Sequence, residues 1–229
     1  MLGSLVNAAS IVIGSLVGVL INKGIKEEYK KLIMDGVALT VIIMGIMGAI
    51  ESQNFILVII SMVLGSIIGQ AIGIEEKLDK LGNRLEERFG KGNSNFSKGF
   101  VTASLVYCIG AMAIIGALES GLTGNHSTLF AKAVLDWITA ITFASTLGIG
   151  VAFSAVPVLL YEGFISLLAS SLSSLFSTEA ITEMSAVGGI LIMAIGLNIL
   201  GIRKINVGNM LPAVFIPLLY FSLRIFMGF

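Results

Sequence analysis

The sequence predicts an all-α membrane protein, a bundle of about eight spanning helices in one domain covering residues 1–229. Three observations carry this. Of 229 residues 56% are hydrophobic and only 12% are charged, and the mean hydropathy is +0.99. A soluble domain carries roughly 25% charged residues, whereas a spanning helix needs roughly 20 predominantly apolar ones. The 27 glycines fit the same class, because membrane helices approach one another through small side chains. A disordered chain is excluded, and a net charge of zero gives no electrostatic case for nucleic acid. The single Cys108 forbids an intramolecular disulfide, and the single His126 forbids a His-rich metal centre. No cofactor is expected.

The elements follow in order. The first segment runs apolar to Ile21 with no Lys or Arg ahead of it, unlike the basic start of a secretory signal, so it is expected to be a retained span. No prenylation box closes the sequence. Apolar segments lie at about 2–22, 34–51, 55–74, 100–118, 129–149, 151–172, 185–202 and 208–227. The fifth and sixth are nearly contiguous, broken around Leu147-Gly148-Ile149-Gly150, so seven spans is the alternative. Charge arbitrates through the positive-inside rule. Lys23, Lys26, Lys30 and Lys31 follow span one; Lys77, Lys80, Arg84, Arg88, Lys91 and Lys98 follow span three; Arg203 and Lys204 follow span seven. Those 12 of the 14 basic residues share one side only if there are eight spans, which puts both termini outside.

Within 75–98, Leu78, Leu81, Leu85 and Phe89 recur at helical spacing among Lys80, Arg84, Glu87 and Arg88. This predicts a cytoplasmic amphipathic helix, read either as a linker resting on lipid headgroups or as a gate or docking surface. The segments 44–52 and 112–120 share six of nine residues and both end in Glu-Ser, a parallel repeat. Gly14 with Gly163 and Gly45 with Gly196 suggest a weaker relation between spans one to three and six to eight. Those triplets would be oppositely oriented, as in the inverted repeats of secondary transporters. Gly65, Gly69 and Gly73 form one small-residue ridge and Gly14 with Gly18 another, for packing within the monomer or across a homo-oligomer. Pro212 and Pro217 imply a kinked last span.

Ionisable residues inside spans face the bundle interior or water, because moving them into lipid costs several kcal/mol. Glu162 stands mid-span, with Pro157 and Gly163 expected to break the helix around it and leave carbonyls free beside a carboxylate. That is a hard-oxygen site suited to a proton or a cation. The plainer alternative is a protonated Glu hydrogen-bonded to a neighbouring helix. Tyr161 and Ser154 of the same segment, with Asn7 and Asn198, complete the candidate ligands. Lys132 and Asp136 share a helical face four residues apart. They form either an internal ion pair or, through Asp136, part of an outer acidic approach with Glu51 and Glu119. Ser10, Ser15 and Gln70 suit bonds across helices. There is no phosphate-binding Gly-Lys-Ser/Thr loop and no His-Glu-x-x-His, and the only His lies in an outer loop, so no enzyme is expected. The ten scattered methionines suit packing.

The stretches Val106-Tyr107-Cys108-Ile109-Gly110-Ala111-Met112 and Gly116-Ala117-Leu118-Glu119-Ser120-Gly121 resemble the YdfK/YqgA-like family of bacterial integral membrane proteins, whose function is unknown. So do Ala131-Lys132-Ala133, Leu135-Asp136, Leu147-Gly148-Ile149-Gly150-Val151, Phe153-Ser154-Ala155 and Pro157-Val158-Leu159-Leu160-Tyr161-Glu162-Gly163. The resemblance implies a bacterial inner-membrane location and supplies no substrate. The expectation from the residues is a transporter or channel for a small solute or cation, with membrane lipid as surroundings and Glu162 as the midplane ligand. The alternative is a scaffold or sensor acting through the amphipathic helix.

Overall fold

The computed structural model describes residues 1–22, 27–89, 95–172 and 176–227. Lys23, Lys26 and Lys91 of the basic connections lie outside them. The described residues are helical almost throughout: α1 Leu2–Asn22, α2 Glu27–Ala49, α3 Phe55–Ile72, α4 Ile74–Phe89, α5 Phe96–Cys108, α6 Ala111–Leu122, α7 Ser127–Leu147, α8 Gly150–Phe153, α9 Ala155–Leu167, α10 Ala169–Leu172 and α11 Thr178–Ile199. A 3-10 helix, Val207–Phe215, then leads into α12, Ile216–Met227. Among these residues seven segments are long and apolar enough to cross a membrane, and the bent pair α5–α6 makes up to eight. The helices cluster into two compact units.

The first unit gathers α1, α5, α6, α7, α8, α9 and most of α4. Its spine is the parallel pair α1–α7. Ser10 of α1 donates to the Ala133 carbonyl of α7 at 2.9 Å. A Cβ on Gly3 would strike Leu129, one on Gly14 the Trp137 backbone, and one on Gly18 the Ile141 carbonyl. Contacts that advance together along both helices define a parallel pair. The cause is local: small residues at helical spacing let the backbones close up, which drives association where lipid removes any hydrophobic gain. The α9 helix runs the other way, since Asn7 of α1 meets Glu162 while Gly163, one residue further on, meets Met1. Spans five and six are therefore separate, divided where Gly148 adopts φ 80°.

The fourth segment departs from the expected continuous 100–118 helix. It bends by 62° between α5 and α6, at Gly110 with φ 140°, which an L residue rarely adopts. Counted as one crossing, this bent pair raises the seven candidate spans to eight, the count that goes with the parallel packing of α1 and α7.

The amphipathic helix expected in 75–98 is α4. Its Gly82 lies against Ser97, Glu86 accepts from the Ser97 N–H at 3.1 Å, and Phe89 packs on Phe153 with ring centroids 5.1 Å apart. Leu81 remains 47% exposed, leaving apolar surface for the interface that the pattern implied.

The second unit holds the C-terminal part of α2 from Ala38, then α3, α11, the 3-10 helix and α12. Its centre is α11, with 78% of its spanning window buried. Gly45 of α2 meets Gly189 and Met193 of α11, and Gly196 meets Ala38 and Ile42, an antiparallel contact. Gly65 and Gly69 of α3 meet Ala213 and Asn209 in the same antiparallel sense. Both glycine ridges thus serve packing inside the chain. Gly73 is not part of the ridge: it ends α3 in the left-handed conformation, φ 69°, its N–H returning to Gln70 and Gly69. The last span opens as a 3-10 helix with Pro212 inside it and continues as α12, with Pro217 in its first turn.

The contacts group span one with spans four to six, and spans two and three with seven and eight. This grouping does not reproduce an inverted repeat of spans one to three with six to eight. Gly14 abuts the Trp137 backbone, whereas the Cα of Gly163 faces only the Met1 side chain. At the ends of the segments 44–52 and 112–120, Ser52 donates to the Glu183 carboxylate at 2.7 Å, whereas Ser120 Oγ lies 3.5 Å from Ser166 Oγ.

Candidate functional site

The first unit buries a polar cluster drawn from three helices. Lys132 and Asp136 lie one turn apart on the inner face of α7 and are ion-paired, with side chains 8% and 10% exposed. Glu162 of α9 is completely buried, and its Oε1 stands 3.6 Å from Lys132 Nζ. Asn7 of α1, also completely buried, donates from Nδ2 to both carboxylates, to Asp136 Oδ2 at 3.0 Å and to Glu162 Oε1 at 2.8 Å. Two acceptor oxygens flanking one amide fix its orientation, because only the nitrogen can donate. From α5 the Tyr107 ring underlies the ammonium at 6.0 Å and stacks on Phe143.

The chain builds this site from its own local rules. Asn7 shares the face of α1 that carries Gly3, Ser10, Gly14 and Gly18, so the close approach of α1 and α7 seals it. Helical spacing puts Lys132 and Asp136 together. The surroundings are apolar, so each ion keeps its charge only through the others. Formal charges do not balance, however: two carboxylates face one ammonium. Glu162 Oε2 and Asn7 Oδ1 are buried without a hydrogen-bond partner.

The other expected site residues fall elsewhere. Ser154, buried, donates to the Val151 carbonyl at 2.6 Å, which keeps its hydroxyl on its own helix end. Tyr161 is half-buried and lines an apolar groove with Leu5, Leu159 and Phe164, on the lipid-like side of α9. Asn198 bonds twice to the Ile205 backbone, at 2.7 Å each way, and so closes the turn after α11 rather than serving as an ion ligand. The outer acidic approach is not assembled around Asp136, which is taken up by Lys132 and Asn7. Glu119 accepts from Thr128 at 2.6 Å and tethers the start of α7. Glu51 is exposed at the end of α2.

Nor does the helix break around Glu162. Pro157 sits in the first turn of α9, where its missing N–H costs nothing, and α9 passes through Gly163 without interruption. The breaks fall at Ser154 and Leu168 instead.

Sequence reasoning missed three things. Lys132 is shared by Asp136 and Glu162, a link between residues 30 apart in sequence that no spacing rule reveals. Glu183 of α11 accepts from Ser52 Oγ at 2.7 Å and from the N–H groups of Gln53 and Asn54 at 2.7 and 2.8 Å, pinning the α2–α3 turn. A carboxylate in the second turn of α11, close to an apolar run, was the only hint. His126 Nδ1 lies 3.0 Å from Ser120 Oγ, so the lone imidazole does meet a serine.

The fold and the buried charged cluster define a polytopic helical membrane protein. The chain belongs to the family described as a protein of unknown function, DUF554, which matches residues 2–222. It is 37% identical over 221 residues to the uncharacterized membrane protein YdfK of Bacillus subtilis (strain 168), covering 95% of this chain and 94% of that protein. It is 28% identical over 222 residues to the uncharacterized protein YqgA of Escherichia coli (strain K12), again covering 95% and 94%. No solved structure matches.

Proposed function

We propose that the protein is a transporter or channel for a small solute or cation in the bacterial inner membrane, with Glu162 as its ligand. The supporting observation is the unequal count of buried charges. A cluster that served only to hold helices together would gain most from matched pairs, because an unmatched ion in an apolar interior costs several kcal/mol. Here Asp136 and Glu162 share one lysine. Ionisable groups retained inside spanning helices mark ion pathways by default. On this reading both termini face outward and the basic connections face the cytoplasm, following the positive-inside rule.

Flux in proteoliposomes tests it, with Na⁺, K⁺ and pH gradients imposed in turn on wild type and Glu162→Gln. Flux that the variant loses while staying folded supports the reading. Equal flux in both, or none in folded wild-type protein under any gradient, moves the scaffold reading through α4 to first place.

A further inference from the structure

The charge count goes further than naming a ligand residue. Four elements face the cluster. α7 brings Lys132 and Asp136, and α9 brings Glu162 with Tyr161 beside it. α1 brings the amide of Asn7, while the Met1 ammonium at its start donates to the Ser120 and Ser166 hydroxyls and not to the carboxylates; α5 brings the phenol of Tyr107 and the thiol of Cys108. With the lysine charged and both carboxyls ionised, the formal sum is one negative charge. Burial makes any residual charge costly, so the neutral occupied state holds one added positive charge. A divalent ion would overshoot to a net positive charge, and an anion would deepen the deficit. The unpartnered oxygens Glu162 Oε2 and Asn7 Oδ1 are hard donors of the kind that hold alkali cations.

We propose that Lys132, Asp136, Glu162 and Asn7 form a single-charge exchange site, which takes either one proton or one monovalent alkali cation and releases the other. Lys132 acts as a tethered cation that sets the count at one. This rests on the transporter reading above and gives its substrate class: a monovalent alkali cation exchanged for a proton. A proton on either carboxyl and a cation between them answer the same single charge, so one excludes the other.

The test is calorimetric titration of the purified full-length protein in detergent with NaCl, LiCl or KCl across a pH series, N-methylglucamine chloride controlling for ionic strength. Wild type is expected to bind one alkali cation, with apparent Kd rising tenfold per unit of acidification once the proton competes. Lys132→Met leaves two uncompensated carboxylates and is expected to bind Ca²⁺ or Mg²⁺, which wild type does not. Lys132→Met/Asp136→Asn restores a sum of minus one and is expected to return to monovalent binding with loss of the divalent ions. If Lys132→Met does not fold alone, Ca²⁺ should restore its monodisperse gel-filtration peak.

Four results would each overturn the proposal: no alkali-cation binding, binding indifferent to pH, Lys132→Met without divalent affinity, or failure of Ca²⁺ to rescue its fold. The two readings also fail separately. Glu162-dependent flux of a neutral solute without cation binding refutes the exchange site and leaves a transporter. Proton-competitive cation binding with no flux leaves the site and refutes transport.

Discussion

Replacing Asn7 by leucine, close to it in size, removes one amide that serves two carboxylates. The lost bonds measure 3.0 Å to Asp136 and 2.8 Å to Glu162, and all three groups are buried. Bonds to charged groups contribute about 1.5–3 kcal/mol each in soluble proteins, while interhelical bonds in membranes average about 0.6 and reach about 1.7. Two charge-assisted bonds with good distances belong near the upper membrane value, partly offset by the new apolar contact. The expected loss is about 2 kcal/mol, roughly thirtyfold in the unfolding equilibrium. Reversible unfolding in mixed micelles measures it, followed by the single tryptophan, Trp137, against which Gly14 of α1 packs. Ser10→Ala, which removes one neutral hydroxyl shared between the Asn7 and Ala133 carbonyls and leaves the Asn7 amide in place, is the control and should cost about 0.6 kcal/mol. Asn7→Asp should be worse than leucine, because it places a third carboxylate in the cluster. An Asn7→Leu protein within about 0.5 kcal/mol of wild type, the range of an inconsequential surface change, would refute the assignment of Asn7 as the clamp on both acids.

The remaining predictions concern packing and the outer turns. Gly69→Ala drives a methyl into the Asn209 carbonyl and should cost about 1–3 kcal/mol. Gly36→Ala, whose added Cβ would meet nothing within 4 Å, should stabilise α2 by up to about 1 kcal/mol. Thermal unfolding of the two variants side by side checks that sign difference. Glu183→Ala removes the carboxylate that accepts from Ser52 Oγ and from the Gln53 and Asn54 N–H groups, and so releases the α2–α3 turn to solvent. Hydrogen exchange at residues 50–55 should rise well before global unfolding. Charge reversal at Lys80, Arg84 and Arg88 should leave any Glu162-dependent flux intact, since α4 is held through Gly82, Glu86 and Phe89; loss of flux would instead make α4 a gate.

The sequence by itself determined the class, the apolar segments long enough to cross a membrane and the amphipathic α4, because these depend on composition and period. A run of about 20 apolar residues has only a helix to form in lipid, where every backbone group must be satisfied internally. It also singled out Asn7, Asp136 and Glu162, since polar groups stand out in apolar spans. What it could not supply was their company. Asn7 meets Glu162 across 155 positions, a distance over which neither helical spacing nor local propensity carries information. Asn198, Tyr161 and Ser154 look equally polar in the sequence, yet the fold assigns them to a turn, a groove and a helix end. Only tertiary packing decided which polar side chains were enclosed together. The glycines that let α1 close on α7 are the physical reason that Asn7, Lys132, Asp136 and Glu162 form one cluster with an unmatched charge.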